Sequence, residues 1–335
     1  MDEGLSKSHL SSRLRVGRRV AVRHRIERPD PTAAGLTDVT GELLRCDDES
    51  LTVDSRTGQV TIPWSTVVAA KEIPARAARP GRPHLMISIE NLQRLMVDGL
   101  PPLLERSIGD WLLRSSEGYT GRANSVLAVG DPQIPVAEAV DEVIAAYSEL
   151  GRPTLFQIAG PTGFDPADEP VGAAVLERGG RLFQRTMVMT AAAAEVALAK
   201  PAPNSAVQVL PAPSAQWWQA SSPRTQEHQG IAARLLEQVA EGRYLTLLTD
   251  QPVAAARIAY SPGWVGVFDL HVRADLRGTG LGRALTGEAA RDAGLRGVRS
   301  MYLQVSHDND AAIALYESLG FTMHHEYYYG RIEKA

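Results

Sequence analysis

Hydrophobic and polar positions along the chain change their period near residue 84. Before that point, β-branched and apolar residues alternate with polar ones in five short runs, 18–26, 38–46, 50–54, 59–63 and 67–73. This is the two-residue period of half-buried strands. Turn signals separate the runs: Pro29-Asp30-Pro31, Asp47-Asp48 and Thr57-Gly58. Five strands in so little chain predict a small closed β-barrel over 13–75, and the segment 75–83, with Pro80-Gly81 and Pro83, reads as a linker.

From His84 onward helical and strand patterns alternate. A helix or helix pair over 88–104 is interrupted at Pro101-Pro102, and strands 111–115 and 123–129 flank the turn Gly118-Tyr119-Thr120-Gly121. Helix 136–150 carries Val136, Val140, Val143, Ile144 and Tyr147 on one face and stops at Gly151 and Pro153. Strand 154–158, helix 171–178 and strand 183–190 follow, then a second linker, 200–205, with Pro201 and Pro203. The last part reads as strand 207–210, helices around Gln216 and over 229–240, and strands 244–249, 254–260 and 265–272. Helix 281–293, strand 301–305, helix 310–319 and strand 323–329 complete it. The fold class is therefore α/β (α+β), with units at 84–199 and 205–335. Their elements share an order, and Val175-Leu176-Glu177-Arg178-Gly179-Gly180 lies over Leu315-Tyr316-Glu317-Ser318-Leu319-Gly320. The superposition predicts an internal duplication; the alternative is a rhythm common to many α/β units.

Composition narrows the class. With 335 residues, 44% hydrophobic, 22% charged and a formal net charge of −4, the chain is globular with room for more than one core. One cysteine, Cys46, leaves no internal disulfide, and no His/Cys cluster has zinc-ligand spacing, so no metal is expected. The apolar stretch 190–198 contains Glu195 and is shorter than the roughly 20 residues of a membrane span. The polar segment 1–15 is unlike a signal peptide, so a cytoplasmic location without membrane contact is expected. Arg13, Arg15, Arg18, Arg19, Arg23, Arg25 and Arg28 crowd the start. They suit either a polyanion contact or a solvated strand edge; the edge is the simpler reading, and nucleic acid is not expected as a partner.

The stretch richest in chemistry is Asp269-Leu270-His271-Val272-Arg273-Ala274-Asp275-Leu276-Arg277-Gly278-Thr279-Gly280-Leu281-Gly282-Arg283. An apolar strand runs into a loop with three glycines and then a helix, so backbone N–H groups can converge on an anion at the helix start. Two nucleotide motifs fail on spacing. A P-loop needs Lys-Ser or Lys-Thr where Arg283-Ala284 stands, and the dinucleotide fingerprint needs Gly or Ala where Arg283 or Leu285 stands.

Arg277-x-x-Gly280-x-Gly282 after an apolar strand resembles the acyl-CoA pyrophosphate loop of the GNAT acetyltransferase superfamily. A second constellation supports it. The run from Leu303 through Asn309 and Tyr316 to Leu319-Gly320-Phe321 is similar to that family's strand, Asn, helix, Tyr and Leu-Gly-Phe ending. The resemblance, at its most specific over 205–331, implies a GNAT fold with a mixed central sheet. It implies acetyl-CoA as co-substrate and an amine acceptor, either a small molecule or a protein lysine or N-terminus. By the same resemblance, Leu270, His271 and Val272 lie along the pantetheine and acetyl group, with a β-bulge freeing backbone groups. Arg277, Gly278, Thr279, Gly280, Leu281, Gly282 and Arg283 would hold the pyrophosphate, Asn309 would contact the pantetheine arm, and Tyr316 would protonate the leaving thiolate. Many family members carry a Glu base on the strand before the loop; Phe268 stands there, leaving Asp269, His271 or a water chain.

The unit 84–199 has no such loop, since Asp131-Pro132-Gln133-Ile134-Pro135 lies in its place and Leu176 aligns with Tyr316. It reads as a degenerate GNAT-like unit that walls the acceptor cleft, with Trp111, Tyr119, Trp217 and Trp218 as lining or as ordinary core. The overall order resembles actinobacterial GNAT proteins with an N-terminal SH3-like barrel. The expected activity is N-acetyl transfer by direct attack of a primary amine. A mycothiol-synthase-like small-molecule acetyltransferase and a non-catalytic acyl-CoA sensor or adaptor stand as alternatives, and a homodimer is allowed for.

Overall fold

The computed structural model describes residues 14, 16, 18–26, 35–55, 58–72, 86–203 and 205–333. The chain forms two compact units, Met1–Arg79 and Pro80–Ala335. In the first, β1 (Arg19–Ile26), β2 (Gly35–Cys46), β3 (Ser50–Ser55), β4 (Gly58–Pro63) and β5 (Val67–Glu72) form an antiparallel sheet in the order β4-β3-β2-β1-β5. Alternation places Val20 and Val22 of β1 and Leu51 and Val53 of β3 in one core with Leu43, Ile62 and Trp64. A bulge between Leu43 and Arg45 of β2 lets this long strand bend. The result is an SH3-like half-barrel in which a turn, Trp64–Thr66, connects β4 to β5. Of the early arginines, Arg23 forms an exposed two-pronged pair with Asp38 at 2.7 Å, as a solvated strand does. Arg13, Arg15, Arg28, the turn at Pro29-Asp30-Pro31, Thr57 and the linker 75–83 lie outside the described residues.

The second unit opens with α1 (Ile89–Leu95), capped by Ser88 Oγ accepting from the Asn91 N–H. Then come β6 (Leu104–Ile108), β7 (Trp111–Ser115), β8 (Val126–Leu127), α2 (Val136–Glu149), β9 (Thr154–Gly160), α3 (Pro170–Glu177), β10 (Arg181–Ala192) and α4 (Ala193–Val196). The remainder is β11 (Ala206–Leu210), α5 (Ala215–Ala220), α6 (Pro223–Glu227), α7 (Gln229–Glu237), β12 (Gly242–Leu248), β13 (Pro252–Ser261), β14 (Trp264–Val272), α8 (Leu281–Leu295), β15 (Ser300–Ser306), α9 (Asp310–Glu317) and β16 (Thr322–Ile332). Two expectations fail locally. Strand 123–129 shrinks to β8, and β6, which shares only Leu104 with the stretch 88–104 read as helix, was not expected. Four of the five β6 residues are exposed, so this edge strand lacks the alternation that marks a half-buried one.

All eleven strands share one sheet, ordered β11-β12-β13-β14-β15-β10-β16-β9-β8-β7-β6. The order is symmetric about the antiparallel β10/β16 pair. Outward on one side lie β15, antiparallel to β10, then β14, parallel to β15, and then the antiparallel β13. On the other side β9, β8 and β7 repeat the same senses. The first repeat thus lends β10 to a place between β15 and β16, while the second lends β16 to a place between β10 and β9. The two halves of the described sheet recur in strand order but are knitted into one body.

On one face, α8 and α9 cover an apolar core that includes Val265, Val267, Leu285, Leu303 and Tyr316; α2 and α3 cover its counterpart around Val126, Phe156 and Ile158. On the opposite face α1 packs over Phe268, Tyr302, Tyr327 and Tyr329. That face also holds a directed polar chain. Arg114 donates to Gln157, Gln157 to Gln93, and Gln93 Nε2 lies 2.8 Å from His325 Nε2. His325 Nδ1 then lies 2.7 Å from His324 Nδ1, and His324 Nε2 lies 3.0 Å from the Ile87 carbonyl. The chain is satisfied throughout when both imidazoles are neutral, each donating towards Ile87. Burial accordingly holds His325 at a pKa of about 3 and lowers that of His324.

Candidate active site

The site begins where β14 and β15 separate. These parallel strands pair from Trp264/Ser300 only as far as Val267/Leu303, and beyond Val267 the β15-facing edge of β14 has no ladder. On its other side β14 is bulged: Arg257 pairs with Phe268 and Ala255 with His271, so two residues, Asp269 and Leu270, lie opposite one. Asp269 adopts φ 47°, a left-handed conformation that Asp tolerates better than most residues. The bulge lets the neighbours Phe268 and Asp269 line the same pocket, while Leu270 and Val272 pack into the core under α8 and α9. His271 is held elsewhere, its Nδ1 3.1 Å from the Ala220 carbonyl at the end of α5.

On the α8/α9 face lies the glycine loop. Gly278 and Gly280 have φ 77° and 90°, and a Cβ on either would meet nothing within 4 Å, so backbone conformation and not packing demands glycine there. Gly280 is the N-cap of the 15-residue α8 and has no side chain to satisfy the first-turn N–H groups. Such groups carry partial positive charge and suit an anion. Thr279 Oγ1 donates to the Leu276 carbonyl and Arg277 Nε to that of Val272, so the loop is held by its own residues while Arg277 remains exposed. Arg283, expected at the pyrophosphate, donates to Ser318 Oγ at 2.5 Å, which ties the C-terminal end of α9 to α8. Gly282 adjoins Leu270 and Leu315, bringing loop, strand and α9 together.

Asn309 is the N-cap of α9, its Oδ1 accepting from the Ala312 N–H at 3.2 Å. Tyr316, about two turns on, is 7% exposed against the Phe321 ring. Burial pushes its phenol up to about 12, so it is fully protonated near neutrality.

The opposite face of the split holds a cavity of about 430 Å³. The split itself supplies Phe268, Asp269, Gln304 and Ser306, and the exchanged strands supply Thr186 of β10 and Tyr327 of β16. Tyr119 and Trp217 also line it, whereas Trp111 is core against Phe156 and Trp218 packs on Trp217. The repeats are clasped at this wall: the Tyr119 hydroxyl meets Thr225 Oγ1 at 2.8 Å, and Arg224 Nε donates to the Tyr119 carbonyl at 3.0 Å.

Comparison with known proteins fits this arrangement. Residues 87–330 match the family described as "Probable histone acetyltransferase Rv0428c C-terminal", and residues 14–71 match "Rv0428c N-terminal Sm-like domain". The chain belongs to this family of GNAT N-acetyltransferases. The "Uncharacterized N-acetyltransferase YobR" of Bacillus subtilis (strain 168) is 28% identical over 254 residues, 73% of this chain and 98% of that protein. Two further relatives match only over 65 residues. A mycothiol acetyltransferase of Kocuria rhizophila is 43% identical over 22% of its own length, and the [ribosomal protein bS18]-alanine N-acetyltransferase of Escherichia coli (strain K12) is 45% identical over 44% of its length. The fold is similar to that of a GCN5-related N-acetyltransferase from Kribbella flavida, with TM-score 0.55 and 16% identity over 75% of this chain and 97% of that one.

Within this GNAT enzyme the pocket residues that sequence reasoning missed come from distant segments. Arg257 of β13 lies with its guanidinium 4.1 Å from the centre of the Phe268 ring. Gln304 accepts from the Tyr327 hydroxyl at 3.0 Å. A buried arginine in an apolar strand was the one local signal for the first; nothing local marked Tyr327 or Arg122. Among the described residues no group of His, Cys, Asp and Glu is arranged to hold a metal, and no helix is long and apolar enough to cross a membrane.

Proposed function

We propose that this GNAT enzyme transfers the acetyl group of acetyl-CoA to a primary amine by direct attack. The observation that carries this reading is the split between β14 and β15 beyond Val267, with a glycine-loop helix start on one face and a cavity holding Asp269 on the other. The first-turn N–H groups of α8, reinforced by Arg277, fit a pyrophosphate. Leu270 and Val272 offer backbone groups along the open edge of β14, and we assign Asn309, the N-cap of α9, to the arm of the co-substrate. Asp269, without an ion-pair partner among the described residues, faces the amine and is placed to receive its proton. Backbone donors at the split stabilise the developing oxyanion. Tyr316 keeps its proton at neutral pH and delivers it to the leaving thiolate sulfur.

The test is Tyr316→Phe. Turnover should fall by roughly 10²–10⁴-fold, while acetyl-CoA affinity measured by calorimetry stays within about twofold. Equal turnover in variant and parent, with chemistry limiting, would remove Tyr316 from this role. Absence of acetyl-CoA binding to the parent would remove the whole reading.

A further inference from the structure

Resting on that acetyltransferase reading, we propose that the acceptor is a small amine carrying its own carboxylate, an amino-acid-like zwitterion held between Asp269 and the guanidinium groups of Arg257 and Arg122. Four arginines and one carboxylate line the cavity: Arg122, Arg224, Arg257, Arg331 and Asp269. Two of the arginines are already engaged, Arg331 with Glu333 at 2.9 Å and Arg224 with the Tyr119 carbonyl at 3.0 Å. The other two are not neutralised. Arg257 is 5% exposed, has no carboxylate partner among the described residues, and donates one hydrogen bond, from Nη1 to the Gly99 carbonyl at 2.8 Å. Arg122 forms no hydrogen bond or ion pair with the described residues, and its guanidinium carbon lies 5.9 Å from the centre of the same Phe268 ring.

A buried guanidinium with most of its donors unused is costly to keep. A carboxylate is the ligand that meets such donors in pairs. Burial lowers the Arg257 pKa only to about 10, so it carries its charge at neutral pH. Asp269 supplies the opposite sign at the split itself, where the amine must reach the acetyl group. Both signs in about 430 Å³ match a compact zwitterion, since cavities of roughly 300–1,000 Å³ take small molecules. A lysine-rich tail would instead bring cationic neighbours against Arg122 and Arg257.

The experiment compares α-amino acids with their carboxamides and their decarboxylated amines, alongside a lysine-rich peptide. It reads CoA release at saturating acetyl-CoA and, separately, direct binding by calorimetry. The carboxylate form of each matched set should bind at least tenfold more tightly than its carboxamide. Arg122→Gln should raise KM for the amino acid at least tenfold and leave acetyl-CoA binding unchanged; being partly exposed, this site does not share the folding risk of Arg257→Gln. Carboxamides, plain amines or the peptide bound as well as the amino acids would overturn the inference while leaving the acetyltransferase reading intact. If no amine released CoA, the acetyltransferase reading would fall, and calorimetry on the same panel would still decide the charge preference of the cavity.

Discussion

Asp269 shows how one residue can hold two requirements together. Its left-handed backbone turns the strand so that its carboxylate reaches the cavity while Leu270 reaches the core. Asp269→Asn should keep the bulge, because Asn tolerates the same conformation, yet lower kcat/KM for the amine without altering acetyl-CoA affinity. The glycine loop and the helix carrying Tyr316 were legible in the sequence because each is written in one short stretch, and the strand before the loop offered Asp269 beside His271 as a candidate base. Arg122, Arg257, Gln304 and Tyr327 were not, since they are far apart in the chain and meet only through strand register. The Arg283–Ser318 contact was equally hidden: the charge near the loop was legible, but its neighbour across from α9 was not. His325 adds a pH dependence. Its folded pKa of about 3 lies below the unfolded value, so the stability tied to the neutral ring is complete above about pH 6.5 and is lost as pH falls towards 3. Urea unfolding over that range should lose about 1.4 kcal/mol per pH unit from this group, a slope absent from His325→Gln measured beside the parent.

At the scale of elements, helix starts and stops were read more surely than strand edges. Helices α2, α8 and α9 lie close to the expected spans because amphipathic spacing and glycine stops are local signals. The strand expected at 123–129 shrank to the two residues that find ladder partners, Val126 and Leu127 with β9 and Leu127 with β7. On the proposed reading, co-substrate binding turns on the loop before α8. At Gly280, φ 90° excludes a relaxed alanine, and a left-handed non-glycine residue costs roughly 1–2 kcal/mol. Gly280→Ala should therefore lower stability by about that amount in chemical denaturation, and weaken acetyl-CoA binding by calorimetry because the N–H groups of the cradle are displaced. Gly282→Ala, whose Cβ would meet the flexible end of Leu315 at 3.1 Å, should be the milder of the two.

For the whole second unit, the exchange of β10 and β16 governs what can be separated. The sequence superposition of the two repeats foresaw their likeness but not the exchange, because pairing partners leave no periodic trace. At the centre of the exchange Arg185 of β10 meets the fully buried Glu326 of β16 at 2.8 Å, and Glu326 also accepts from the Gly163 N–H. A fragment spanning 205–335 lacks β10, so β15 and β16 lose their shared neighbour. It should be insoluble or molten by near-ultraviolet circular dichroism, whereas 80–335 should give a cooperative transition.

The exchange also sets a timetable for synthesis. The first repeat emerges from the ribosome well before Thr322–Ile332, yet β9, paired with β8 on one edge, finds its second neighbour only in that segment. Until then β9 and β10 each present an unpaired edge, the kind of surface on which nascent chains associate. A protein whose first half waits for its last strand is paced by long-range closure, and the interval between those two moments is when it most needs chaperone cover.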